Sequence, residues 1–396
     1  MSLTDTPNAN RLHIALFGRR NSGKSSLINA LTGQDIALVS NTPGTTTDLV
    51  SKAMEIQGIG PCLFIDTPGF DDEGELGELR ISRTLKAIEK TDIALLLCED
   101  TTFFHEKEIL ALLKEKNIPV IPVLNKIDIR ENSDHLATYI EEQCKIHPLL
   151  ISAKEKIRIE LIRQAILEKL PSDFGQQSIT GELVTENDLV LLVMPQDIQA
   201  PKGRLILPQV QTIRELLDKK CLVVTCTTDK FSATLQALAR PPKLIITDSQ
   251  VFKAIYEQKP KESELTSFSV LFAGYKGDIH YYVESAAVIE RLTESSRVLI
   301  AEACTHAPLS EDIGRVKLPR LLRKRIGENL QIDMVAGTDF PQDLTPYSLV
   351  IHCGACMFNR KYVLSRIERA REQHIPMTNY GVAIAFLNGI LDQIKY

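Results

Sequence analysis

Residues 18–25 read GRRNSGKS, after an apolar run and at the start of a helical pattern. This fits G-x-x-x-x-G-K-[ST] in the strand-to-helix context that a phosphate-binding loop requires. The residue types follow from the chemistry. Gly18 and Gly23 let the backbone curl, so that its N–H groups point at phosphates. The helix start adds partial positive charge. Lys24 is placed to reach the β- and γ-phosphates, and the Ser25 hydroxyl to ligate Mg²⁺. Ser22 and Ser26 belong to the same nucleotide-binding stretch. Residues 66–69, DTPG, end a second strand pattern. Asp66 is expected to hold Mg²⁺, usually through water, and the Gly69 N–H to read the γ-phosphate. Losing that bond on hydrolysis relaxes such a switch.

Residues 125–128, NKID, follow the apolar run PVIPVL and match the N-K-x-D guanine-specificity pattern. The Asp128 carboxylate can accept from both N1–H and N2–H₂ of guanine. Adenine lacks that donor pair and would leave the carboxylate unpaired. Asn125 is expected to brace the loop and Lys126 to pack over the base. SAK at 152–154 is similar to the last base-binding loop, with the Ala153 N–H meeting guanine O6. PGTTTD at 43–48 matches the P-G-x-T-x-D pattern of the GTPase superfamily. That alignment selects Thr46 for Mg²⁺ and the γ-phosphate, with Thr45 and Thr47 as alternatives. Phe70 follows Gly69 where Ras-like enzymes have a water-orienting Gln, so slow intrinsic hydrolysis is expected. The loop also resembles the TrmE/Era-like GTPase branch. That likeness implies K⁺ bound by Asn21 beside the phosphates, acting as an arginine finger does. Lys24, Thr46 and Asn21 are then the residues expected to act on the reacting phosphate.

A second constellation lies far along the chain. Cys304 and His306 form C-x-H after the strand pattern RVLIA, and His352, Cys353 and Cys356 form H-C-x-x-C after SLVI. Both pieces sit at carboxyl ends of expected strands, where α/β folds build sites. Sulfur ligands favour zinc or an iron–sulfur cluster. Zinc would close four positions, for instance three Cys and one His. A [4Fe–4S] cluster would use the three Cys and leave one iron for a weaker or exchangeable ligand. Spacing alone weights the two evenly. The other five cysteines, Cys62, Cys98, Cys144, Cys221 and Cys226, lie in or beside apolar runs and read as buried small hydrophobes.

The elements that must position these residues follow an α/β rhythm. Strands are expected at 12–18, 62–66, 93–98, 119–125 and 149–152, with helices between them, as at 23–32 and 81–90. A turn-rich stretch at 171–182 reads as a linker. A second unit follows, with strands at 189–194, 222–226 and 244–247 and helices at 209–219, 232–239 and 249–257. The polar stretch 258–267 reads as a second boundary. The third unit has expected strands at 269–272, 297–301, 331–335 and 348–351, and helices at 279–292, 318–326, 361–372 and 382–393. The expected fold is α/β: a P-loop GTPase domain (1–172) followed by two smaller α/β domains (180–262 and 265–396) with mostly parallel sheets. A chain of 396 residues is long enough for two or three such cores. Net charge is −5, which weighs against a general nucleic-acid binder. The run 320–327, RLLRKRIG, reads as a solvated helix face. No apolar run reaches membrane-span length and residues 1–10 are polar, so the expected location is the cytoplasm, with no membrane partner.

Over nearly its whole length the chain resembles the HydF family, the GTPase maturation factors of [FeFe]-hydrogenase. The matching pieces include GRRNSGKSS, GTTTD, DTPG with GELGELR, NKID, APKGRLILPQV, PKLIITDSQV, CTHAPLSEDIGRVKLPR, IHCGACMFNR and IPMTNYGV. Ala307 departs from the basic residue expected in some relatives. The resemblance implies GTPase, dimerisation and cluster-binding domains, in a homodimer or larger assembly. It implies a [4Fe–4S] cluster on Cys304, Cys353 and Cys356, with His306 and His352 near a labile fourth iron position. It implies a scaffold that receives a transient diiron subcluster precursor, made with the radical-SAM partners HydE and HydG, and delivers it to the hydrogenase apoprotein. The competing expectation is a ribosome- or tRNA-associated GTPase with a structural zinc site. A redox-sensing switch on the same metal site is a third.

Overall fold

Strand β1 (Leu12–Phe17) is apolar at nearly every position, and all six of its residues are buried. A strand so composed needs cover on both faces. Alternate residues supply it. Leu12, Ile14 and Leu16 pack with Leu27, Ile28 and Leu31 of helix α1 (Lys24–Thr32). Ala15 and Phe17 pack with Ile109, Leu110 and Leu113 of the helix Phe104–Glu115 on the other face. His13, the polar exception, is buried between the carbonyls of Lys90 at 3.1 Å and Asn8 at 2.9 Å.

The computed structural model describes residues 6–32, 50–69, 83–100, 102–171, 174–175, 177–196, 205–303 and 312–396. They fall into two units, Met1–Gln176 and Gln177–Tyr396. In the first, β1 is central in a six-stranded sheet of order β2-β3-β1-β4-β5-β6. The other strands are β2 (Val50–Ile56), β3 (Gly60–Asp66), β4 (Ile93–Cys98), β5 (Val120–Leu124) and β6 (Leu149–Leu150). Every pair is parallel except β2 with β3. Strand β2 was not expected: VSKAMEI mixes charged and apolar residues and pairs at a sheet edge. Register places Asp66 beside Leu16, so the DTPG turn leaves the sheet next to the phosphate loop.

The second unit holds two four-stranded, wholly parallel sheets. The first has order β10-β9-β7-β8, from β7 (Leu189–Val193), β8 (Leu222–Cys226), β9 (Leu244–Thr247) and β10 (Glu264–Ser267). The second has order β12-β11-β13-β14, from β11 (Arg297–Glu302), β12 (Gln331–Ala336), β13 (Leu349–His352) and β14 (Met377–Asn379). One core joins them: Leu191, Ile245 and Phe252 share a cluster with Leu299, Val350 and Met377.

Several expectations are corrected here. Residues 269–272, expected as a strand, lie in the helix Phe268–Lys276. Ser267 caps it by accepting from the Val270 N–H at 3.2 Å. The helix is apolar because it is buried between two clusters: Val270 and Ala273 face one, Phe268, Leu271 and Phe272 the other. A short apolar run cannot distinguish that case from a buried strand. Strand β10 lies inside the stretch expected as a polar boundary. The helix expected over 279–292 ends at Ala286 and continues as a 3₁₀ turn, Ala287–Arg291. The helix expected over 382–393 is Tyr380–Leu387, stopped by Gly389 at φ +67° before a 3₁₀ turn, Leu391–Gln393. Strand β14 was not expected. In the helix Leu318–Ile326, Leu318 and Leu322 are buried while Arg320, Lys324 and Arg325 are exposed. Cys62, Cys98, Cys144 and Cys221 are buried and Cys226 is half-buried. Among the described residues, no helix is long and apolar enough to cross a membrane.

Candidate functional site

The phosphate loop runs from the end of β1 into α1. A side chain at Gly18 would press on Ser22 Oγ at 2.8 Å and on the Leu97 carbonyl at 3.0 Å. Gly23 has φ +91°, and a side chain there would strike the Asn125 amide. Both positions are closed to anything larger, which is why the loop can wind tightly. Asn21 is exposed in a left-handed conformation, φ +63°. Lys24 is buried, and its Nζ donates to the carbonyls of Gly18 at 2.8 Å and Arg19 at 2.7 Å, across the loop it closes.

Ser25 Oγ donates to Asp66 Oδ2 at 2.7 Å. Burial raises the Asp66 pKa, opposed by the Ser25 bond and the Lys24 charge. Asp66 Oδ1 is buried and has no hydrogen-bond partner. A hydroxyl and an orphaned carboxylate oxygen at a helix N-terminus form an oxygen donor set that suits Mg²⁺. Half-buried Gly69 follows in the same turn, whose Thr67 hydroxyl donates to the Leu16 carbonyl at 2.6 Å. Thr46 and Phe70 lie outside the described residues.

Asn125 is the joint of the base-binding side. Its Nδ2 donates to the Ser22 carbonyl at 3.0 Å, and its Oδ1 accepts from the N–H groups of Lys126 at 2.8 Å and Ala153 at 3.0 Å. One buried amide thus ties together the phosphate loop, the NKID turn and the SAK loop. The Ala153 N–H donates to Asn125, a use not expected from sequence. Lys126 adopts φ +66° and pairs with Glu99 at 2.9 Å. Asp128 is exposed in the 3₁₀ turn Ile127–Ile129. The Ser152 hydroxyl hydrogen-bonds its carboxylate and holds its pKa below the ordinary value. Ser152 is itself fully buried. Sequence reasoning missed Arg19 and Glu106. Glu106 is 1 % exposed on its helix, and Arg19 Nε lies 2.9 Å from it while Arg19 Nη1 reaches Asp100 at 3.0 Å. Burial raises the Glu106 pKa despite the arginine. Nothing in the helix sequence marks this glutamate as buried.

In the second unit, β11 and β13 are neighbours, with Ala301 beside His352. Their carboxyl ends therefore emerge together. Ala303, which precedes Cys304, donates its N–H to Cys353 Sγ at 3.0 Å, and the Ala355 N–H approaches the same sulfur at 3.4 Å. Cys353 and Cys356 are half-buried. A sulfur receiving two backbone N–H groups beside a second cysteine is an environment that suits a metal-bound thiolate. Cys304 and His306 lie outside the described residues, among which no three metal-ligating side chains cluster.

His352 is the last residue of β13. It is fully buried, with Nδ1 at 2.8 Å from the Cys353 carbonyl and Nε2 at 2.9 Å from Arg366 Nη1. A guanidinium only donates. Nε2 therefore accepts, and Nδ1 carries the proton given to Cys353. Burial first, and then the Arg366 charge, push the imidazole pKa down to about 3. Both ring nitrogens make hydrogen bonds within the protein in this arrangement.

Residues 13–126 match the family model described as 50S ribosome-binding GTPase. Residues 179–277 match the hydrogen maturase F dimerization domain, and 280–395 the hydrogen maturase F tetramerization domain. The tRNA modification GTPase MnmE of Dechloromonas aromatica is 39% identical over 159 residues, 39% of this chain and 34% of that protein. GTPase Der of Wolinella succinogenes is 35% identical over 186 residues, 43% of this chain and 38% of that protein. The chain thus spans little more than a third of the length of these curated relatives. Among solved structures, Aquifex aeolicus Era bound to GDP·AlF4⁻ is 19% identical with a TM-score of 0.35, covering 57% of this chain and 98% of that one. The G domain of the T. maritima FeoB iron transporter is 25% identical with a TM-score of 0.33, covering 40% and 98%.

The phosphate loop, the Ser25–Asp66 pair and the Asn125 joint make the first unit a P-loop GTPase domain. Two oligomerisation domains follow it in the sequence, and their models together cover more than half of the chain. The chain belongs to the hydrogen maturase F family.

Proposed function

We propose that the chain is a GTP-hydrolysing scaffold that carries a [4Fe–4S] cluster and assembles or delivers the diiron subcluster of the H-cluster to [FeFe]-hydrogenase. In this reading HydE and HydG supply the precursor, and nucleotide state governs partner exchange. Residues 1–172 act as the GTPase domain, 180–262 as the dimerisation domain and 265–396 as the cluster domain. Cys304, Cys353 and Cys356 hold the cluster, and His306 and His352 stand near its fourth iron.

The observation that carries this reading is the 3.0 Å bond from the Ala303 N–H to Cys353 Sγ. It brings Ala303, the residue before the C-x-H piece, to Cys353 at one end of one sheet. Anaerobic purification with iron and sulfide tests the reading. The expected product is brown and gives an EPR signal on reduction. A colourless chain holding one zinc per monomer would sink the cluster reading.

In the GTPase domain, Ser25 and Asp66 hold Mg²⁺, with Thr46 joining when GTP is bound. Lys24 turns from its loop carbonyls to the β- and γ-phosphates, and Gly69 reads the γ-phosphate. Asp128 recognises guanine beside Ser152 and Ala153, with Asn125 and Lys126 supporting the loop. Asn21 takes part in holding K⁺, whose charge would offset that developing between the phosphates. An arginine finger in that role is worth about 10³–10⁵ in rate. Replacing Na⁺ by K⁺ is therefore expected to speed hydrolysis by about tenfold or more. Equal rates in the two salts would remove the role given to Asn21.

A further inference from the structure

Arg366 heads the largest fully buried side chains and is 1 % exposed. A guanidinium stays charged at any physiological pH. Burying it costs several kcal/mol unless its surroundings compensate. Among the described residues, none of its contacts is a carboxylate. It lies instead within 4.7 Å of the ring centres of Phe340, Phe358 and Tyr362. Its Nη2 donates to the Gly337 carbonyl at 2.6 Å and its Nη1 to His352 Nε2 at 2.9 Å. The aromatic faces and the carbonyl stabilise the cation without neutralising it.

The charge is relayed towards the cysteines. Because Nε2 accepts from Arg366, the His352 proton sits on Nδ1 and is donated to the Cys353 carbonyl at 2.8 Å. Asn379 Nδ2 donates to the same carbonyl at 3.2 Å. The Cys353 carbonyl thus accepts from two side chains while its sulfur accepts the N–H groups of Ala303 and Ala355. Cluster-bound thiolates are anionic, and the Arg366 charge, linked to Cys353 through His352, is the complement. Such outer partners orient metal ligands and tune the bound centre.

We propose that Arg366 is a positioning residue for the Cys353 ligand, acting through His352, and that its buried charge raises the reduction potential of the cluster held there. The proposal rests on the cluster reading above.

The test uses the full chain as wild type, Arg366→Met, Arg366→Lys and His352→Asn, each reconstituted anaerobically with iron and sulfide. Readouts are iron content, midpoint potential by EPR-monitored titration, the rate of iron loss to a chelator, ¹⁴N hyperfine coupling and melting of the iron-free protein. Arg366→Met should bind iron with a more negative potential, and Arg366→Lys should stay closer to wild type because the charge remains. A merely structural role would lower the melting temperature and leave the potential where it was. His352→Asn keeps an N–H aimed at the Cys353 carbonyl but is too short to put an acceptor where Nε2 meets Arg366. It should lose iron about tenfold faster with its ¹⁴N couplings unchanged. Should Arg366→Met fail to fold, His352→Asn decides alone: iron loss at the wild-type rate overturns the proposal. So does an Arg366→Met potential equal to wild type, or a ¹⁴N coupling that vanishes in His352→Asn, which would make His352 a ligand. A wild-type chain that takes up no iron overturns the cluster reading and this proposal together; a wild-type cluster with unmoved variants overturns this proposal alone.

Discussion

Asp128→Asn is expected to weaken GTP binding by about 10²–10⁴-fold and to create binding of xanthosine triphosphate. The carboxylate can accept from both guanine N1–H and N2–H₂, and each hydrogen bond to a charged group contributes about 1.5–3 kcal/mol. Asparagine offers one acceptor and one donor. It can still accept from N1–H, but its own N–H₂ then opposes the guanine N2–H₂. Xanthine presents a carbonyl at that position, so the same donor finds a partner. The surrounding frame should survive, because Asp128 is exposed and the loop is held by Asn125 through its bonds to Ser22, Lys126 and Ala153. Titration calorimetry with both nucleotides measures the exchange. GTP affinity within about threefold of wild type would show that NKID does not read the base.

The second large effect is expected at the other end of the chain. Cys353→Ser should lose more than about nine-tenths of the reconstituted iron while GTP hydrolysis stays within about twofold. The serine oxygen is a poor match for an iron–sulfur centre, which takes soft thiolate ligands. The sulfur it replaces accepts from Ala303 and Ala355. None of those groups belongs to the unit that carries the phosphate loop. Iron analysis and a phosphate-release assay on one preparation suffice. Full iron content would remove Cys353 from the ligand set. A collapse of hydrolysis would show that the cysteine site and the GTPase site are not separable.

The nucleotide site was legible in sequence because its chemistry is local. A loop that wraps phosphates needs two spaced glycines, a lysine and a hydroxyl between one strand and one helix, and GRRNSGKS supplies them in one short run. The cysteine signature is local in the same way, and Cys353 directly follows β13. Burial is different, because it depends on what packs from elsewhere. Residues 269–272 carry the same apolar signal in a strand as in the buried helix Phe268–Lys276, and only the two clusters pressing on that helix distinguish them. His352 carries the same imidazole as a ligand or as a brace. Its hydrogen bonding was decided by Arg366, on the helix Arg360–Glu372, whose donors leave Nε2 only an acceptor's part. Sequence alone determined which chemistries this chain can perform, because residue types set donors, charges and softness. Tertiary structure decided how those groups are buried and paired, because burial and hydrogen bonding depend on what packs against them from elsewhere in the chain.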